Sequence, residues 1–166
     1  MATKTLHDLM LGFMQDIYYA ERQILKALPK MAKAAQNDDL KQALLHHREE
    51  TQGQVERLQK AFEALGKQAR GHTCEAINGL IEEGEEVVQE VPEGVVRDAG
   101  ILANAQAVEH YEMARYGTIV AWAKSCGEQE VAQLMHETLE EEKKADTLLN
   151  DLANKQVNKQ AMRQAA

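Results

Sequence analysis

Apolar residues recur at three- and four-residue intervals through Met10, Phe13, Ile17, Ala20, Ile24 and Leu28, the spacing that lines one face of a helix. Thr5 followed by Asp8 reads as its N-terminal cap, Pro29 offers a place to bend, and "MAKAA" carries the pattern to Ala35. "QNDD" interrupts it, with Asn37 or Asp38 capping a second helix from Asp38 to Leu65 through Leu40, Leu44, Leu58 and Ala61; Gly66 ends it. After the loop "KQARGHT", Ile77, Leu80, Ile81, Val87 and Val88 mark a shorter helix weakened by Gly79 and Gly84, which Pro92 breaks. A third long helix spans Glu93 to Ser125 through Val95, Ala99, Leu102, Met113, Tyr116, Val120 and Ala123. Gly127 terminates it, and a fourth runs from Glu128 to Ala153. The last residues, "NKQVNKQAMRQAA", are polar and read as frayed. The pattern predicts one domain over residues 1–155 and a polar tail over 156–166. No strand alternation competes. Two tight hairpins of long helices joined by a long connection carrying a short helix predict an all-α, ferritin-like antiparallel four-helix bundle.

The stretch "LLHHREETQGQVERLQ" departs from this rhythm, since His47, Glu50, Thr51 and Gln54 occupy the middle of an otherwise apolar face. Residues equidistant from a hairpin turn lie at the same height, because both helices rise about 1.5 Å per residue. Glu21 lies 15 residues before Gln36 and Glu50 lies 14 after it; Glu112 and Glu142 lie 15 before and 15 after Gly127. Four carboxylates, one per long helix, are thereby predicted to share a layer about 22 Å from their turns. One turn further from the loops lie Tyr18, Gln54, Glu109 and Asp146, predicted as a second polar layer. The two hairpins superpose at offsets of 91 or 92 residues, an internal pseudo-repeat that includes the doublets Glu49–Glu50 and Glu141–Glu142.

Several buried carboxylates without partners repel one another and are costly to desolvate. Two divalent cations would neutralise them, and inward glutamates from all four helices are the arrangement of di-iron and di-manganese bundles. Oxygen-rich ligation suits iron, or manganese, better than a closed structural zinc site. Acidic runs such as "EEGEEVVQE" and "LEEEKK" are ordinary solvated helix surface; the matched height of the four glutamates sets them apart.

Composition narrows the partners. The formal net charge of −8 argues against nucleic acid and anionic membrane surfaces. No apolar run approaches membrane-spanning length, the N-terminus carries no secretory pattern, and Cys74 and Cys126 have no motif spacing, so the expectation is a cytoplasmic protein with free thiols.

The segments "DIYYAERQILKALPKMAKAA", "HHREETQGQVERL", "VRDAG…AQAVEHYEMARYGT" and "ETLEEEKKADTLLNDLA" resemble the YciE/YciF family of bacterial ferritin-like proteins, over about residues 4 to 155. The resemblance implies a four-helix bundle with a short extra helix, a homodimer, a role in stress response and a di-metal site whose activity is poorly defined. Carried onto this chain, the ligand positions are Glu21, Glu50, Gln54, Glu109, Glu112, Glu142 and Asp146. The wider superfamily's Glu-x-x-His pattern would place histidines at positions 53 and 145, where this chain has Gly53 and Ala145; Gln54 and Asp146 stand one position on and make the set richer in oxygen.

Further residues have plainer readings. His47, one turn from Glu50, reads as a core histidine bonded locally ahead of a direct ligand, because its counterpart in the other hairpin is Leu139. Tyr18 reads as a core tyrosine with a satisfied hydroxyl, and His110 and Tyr111 as packing or interface residues. Three functions compete: a di-iron oxidoreductase that oxidises ferrous iron or reacts with oxygen or peroxide, a non-enzymatic structural stress protein with a vestigial metal site, and a DNA-protective shell. The acidic charge disfavours the last.

Overall fold

The computed structural model describes residues 4–164, and among them there is no strand. The helices are α1 (Leu6–Ala34), α2 (Asp38–Ala64), α3 (Glu75–Glu90), α4 (Val95–Cys126), α5 (Gln129–Leu152) and, after a π-helical turn at Ala153–Val157, α6 (Asn158–Gln164). No helix among the described residues is long and apolar enough to cross a membrane.

Local chemistry sets the ends. Thr5 and Asp8 form a reciprocal capping box on α1, and the Asn37 side chain accepts from Leu40 N at the start of α2. Gly127 closes α4 in the left-handed region, at φ 82°. The predicted start of the third long helix moves from Glu93 to Val95, because Gly94 takes a φ of 148° and serves as its cap.

The four long helices form the bundle, α1 against α2 and α4 against α5, with α2 also on α5 and α1 on α4. The helix α3 lies across α1 and α4. Its Asn78 accepts from the Tyr19 hydroxyl at 3.0 Å, and Asn104 of α4 donates to Leu80 O at 2.8 Å. Gly84 permits this close approach, since a Cβ there would sit 2.4 Å from Asn104 Oδ1.

The two hairpin turns lie at opposite ends of the bundle. Asp98, at the start of α4, is buried and accepts from the backbone N–H groups of Gln36 and Asn37 in the α1–α2 turn, each at 2.8 Å. At the other end His7 of α1 lies 3.4 Å from Glu128 in the α4–α5 turn. Asp98→Ala leaves two backbone donors without their acceptor. Each charge-assisted hydrogen bond contributes about 1.5–3 kcal/mol, so a loss of about 3 kcal/mol in urea unfolding is expected.

The C-terminal segment differs from the frayed tail expected for it. Val157 is fully buried, Gln156 Nε2 donates to Asp39 Oδ2 at 2.8 Å, and α6 packs on α4. The π turn adds a residue to the helical repeat and so rotates Val157 into the core. One apolar residue in a polar run carries too little periodicity to reveal this.

Candidate metal centre

Glu21 of α1, Glu112 of α4 and Glu142 of α5 are fully buried at mid-bundle. Their shared height has a different cause from two turns side by side. With turns at opposite ends, 15 residues from either end meets in the middle, because helices of 29 and 32 residues are about 44–48 Å long. Glu50 of α2 reaches the same level from the edge, with a side chain 28% exposed and His46 Nε2 3.5 Å away.

The opposed turns split the predicted second layer into two. Glu109 and Asp146 lie on the side of the α1–α2 turn. There His47 Nε2 is 3.2 Å from Glu109 Oε1 and 3.9 Å from Glu112 Oε2, and half-exposed Asp146 lies 3.1 Å from His110 Nε2. Tyr18 and Gln54 lie on the side of the α4–α5 turn. Gln54 Nε2 donates to Glu141 at 3.2 Å, Arg57 grips Glu141 through two bonds of 2.9 and 2.8 Å, and the Tyr18 hydroxyl accepts from Gln59 at 3.1 Å. Tyr18 is thus a core tyrosine with its hydroxyl satisfied.

One ligating atom from each of His47, Glu109, Glu112 and Glu142 lies within 4.8 Å of the others, and all four residues are buried. Glu21 lies beside this group, close enough to act electrostatically with Glu112, Glu142 and His47, and its carboxylate accepts from the Tyr116 hydroxyl. Such crowding without water governs protonation. Burial first, then repulsion from Glu142, pushes Glu21 up to about 8 against the pull of Tyr116. Burial likewise takes Glu109 to about 8, opposed by a hydrogen bond with Glu142 and reinforced by Glu21 and Asp146. Glu112 and Glu142 are raised well above the usual carboxylate range, burial again being the main cause. For His47 burial opposes the charged ring, but Glu50, Glu142 and Glu21 together outweigh it and raise its pKa. Glu50, nearer solvent, is lowered, chiefly by its bond to His47.

Among the described residues, both oxygens of Glu112 and Glu142 and one oxygen each of Glu21, Glu109 and Gln54 are buried without a hydrogen-bond partner, and the approaches of His47 Nε2 to Glu109 and of Asp146 Oδ1 to His110 lack hydrogen-bond geometry. Orphaned buried polar atoms on this scale are exceptional. A cluster of carboxylate oxygens and one imidazole is a donor set that can hold a metal ion.

The sequence ranks His47 as a core histidine ahead of a ligand and gives Tyr116 no polar role; the structure brings both to the cluster. His47 stands among the carboxylates of α4 and α5 as well as beside Glu50, because its side chain reaches across the bundle interior from α2 to Glu109 of α4. Tyr116 was read only as an apolar position, yet it follows Glu112 by four residues and so shares its face. That spacing was the available signal.

Residues 5–162 match a family described as a domain of unknown function, DUF892. The chain is 44% identical to protein YciF of Escherichia coli K12 over 166 residues, covering 99% of this chain and 100% of that protein. The crystal structure of E. coli YciF, described as a stress protein, superposes with a TM-score of 0.90 over 95% of this chain and 99% of that one. YcfI of Rhodopseudomonas palustris, for which a structural role has been suggested, is 52% identical with a TM-score of 0.87, over 89% and 94% of the two chains. A Xanthomonas campestris protein at 24% identity and a TM-score of 0.78 shares the fold.

Proposed function

This chain belongs to the DUF892 family, and we propose that its carboxylate cluster is a di-metal centre in a stress-response protein of the YciF kind, holding two divalent ions, iron ahead of manganese. The carrying observation is the set of buried carboxylate and imidazole atoms at mid-bundle that lack partners. Glu21, Glu109, Glu112 and Glu142 are the inner ligands, with His47 as the nitrogen donor. Glu50 and Asp146 approach from the two edges, and Gln54 adds a buried, unpartnered amide oxygen to the candidate set. The homodimer that the family resemblance implies is part of this proposal.

When bound, an iron pair supplies electrons to oxygen or peroxide at the centre. The chain's own groups prepare that chemistry. Tyr116 holds Glu21 in one orientation through its hydroxyl. The raised affinities of the inner carboxyls for protons mean that loading displaces protons, for which His47 and Glu50 form the path nearest the surface. Arg57, bonded to both Glu141 and Thr138, braces α2 against α5 beside the cluster. The net reaction proposed is oxidation of ferrous iron by oxygen, or removal of peroxide.

Elemental analysis after anaerobic ferrous loading and brief exposure to air tests this reading. About two irons per chain, with near-ultraviolet oxo-to-iron absorption, is the expected result. Sub-stoichiometric metal in both iron- and manganese-supplied protein overturns it. The structural role suggested for the R. palustris relative then becomes the better reading, with protonated carboxyls fixing helix register.

A further inference from the structure

Between the carboxylate layer and the α1–α2 turn the bundle is not filled by side chains. A cavity of about 460 Å³ lies there, walled by Ile24, Leu28, Leu44, Val108 and Leu149, all of them buried. Ile81 and Val88 of α3 close it from outside, and His47 and Glu109 form the part that borders the carboxylate cluster. Close-packed cores contain few voids larger than a water molecule, whereas ligand pockets run to several hundred Å³. An apolar cavity of this kind is a poor home for water.

Its chemistry narrows the occupant. The inner walls are aliphatic, the polar lining (Asn104, Gln89, Glu50 and Glu85) lies toward the rim and α3, and no Phe, Tyr or Trp lines the cavity, so there is no aromatic side chain to stack a ring-bearing ligand. A hydrated ferrous ion would have to shed water against hydrocarbon to cross it. The rim carries His46, Lys30 and Lys144 beside Leu148, which is 50% exposed. Lys30 is engaged with Glu85 at 2.9 Å and His46 faces Glu50 at 3.5 Å. Lys144 makes no ion pair within 4 Å among the described residues, though its charge reaches Glu50 and Glu140, which leaves its ammonium as the rim cation without a direct carboxylate partner.

We propose that this cavity binds an aliphatic carboxylate, its chain among the leucine, isoleucine and valine side chains and its head group on Lys144. Resting on the di-metal reading, this makes an alkyl chain the organic substrate class presented to the centre along its His47–Glu109 edge. Binding itself requires only the cavity and the lysine, so it is tested separately from the metal.

The test is calorimetric titration of decanoate into metal-free and iron-loaded full-length protein, with iron stoichiometry measured on the same samples. One site per chain is expected, with a Kd on the order of 10 μM. Ala27→Phe and Ala43→Phe each fill the cavity from a half-buried wall position away from the ligands. Each is expected to weaken decanoate by roughly tenfold or more with iron content unchanged, and either one that melts like the parent protein suffices. Lys144→Met should weaken decanoate roughly tenfold and leave decanol unaffected. No decanoate binding at millimolar concentration, or binding untouched by the filling substitutions, overturns the proposal even where two irons bind. Missing iron with intact, substitution-sensitive decanoate binding instead overturns the metal reading and leaves this cavity assignment standing.

Discussion

Glu142→Gln is expected to abolish metal uptake while making the metal-free protein more stable. Glu142 is fully buried, neither of its oxygens has a hydrogen-bond partner, and its carboxyl is held well above the usual range, mainly by burial. Glutamine keeps the shape, removes the ionisable group and offers an amide donor to Glu109 and the neighbouring carboxylates. Removing a group that is costly to ionise where it stands should raise the Tm of the metal-free protein near pH 8 by a few degrees, at about 2–4 °C for each kcal/mol regained in a chain of this size. Metal content should fall from about two ions per chain to almost none. The opposite signs are the informative part. A merely structural glutamate would show the stability change with no metal to lose, and undiminished iron in the variant would remove Glu142 from the ligand set. Glu112→Gln should behave alike, whereas Glu50→Ala, at the half-exposed edge, tests whether that edge completes the site.

The metal-free protein should lose stability as pH rises from about 5 to 8, and loading should reverse that trend. Glu21 and Glu109 bind protons with pKa values of about 8 in the folded chain, against an ordinary 4.5. Between those values the folded state holds protons that the unfolded chain has released, so the slope of unfolding free energy against pH is negative. The stabilising contribution is complete below about 4.5 and disappears as pH passes through about 8. His47, also raised, acts in the same direction above its ordinary 6.5. Because the carboxyls share one site they titrate together, and a Tm decrease of roughly 5–10 °C is expected across the window for chelator-treated protein. Bound ions replace those protons, so affinity should increase with pH and loading should acidify an unbuffered solution. Melting curves at three pH values, with and without manganese, check both statements. A flat metal-free profile would show carboxylates already charge-balanced without metal.

Much of this was legible in the chain. The periodic apolar positions, the Thr5–Asp8 box and the left-handed Gly127 are short-range features, and each reports the local backbone directly. The mid-bundle placement of Glu21, Glu112 and Glu142 was legible too, because helical rise converts sequence separation into height. The counting worked for a reason it did not contain, namely that 15 residues is half a helix, so glutamates counted from opposite ends still meet.

What the sequence determined by itself is therefore the set of helices and the positions along them at which polar groups interrupt the buried seams. Tertiary structure alone decided how those seams face one another. The long connection through α3 lets the hairpins join with their turns opposed, and Asp98 locks that choice by holding the α1–α2 turn. Consequently Glu109 meets His47 while Gln54 meets Glu141, and the intended single layer becomes two. Hairpin orientation also brings Tyr116 to Glu21, leaves the aliphatic cavity open beside the cluster and buries Val157. Helical period acts over a few residues, whereas these contacts join residues up to 95 apart, and their pairing follows from the packing of whole elements.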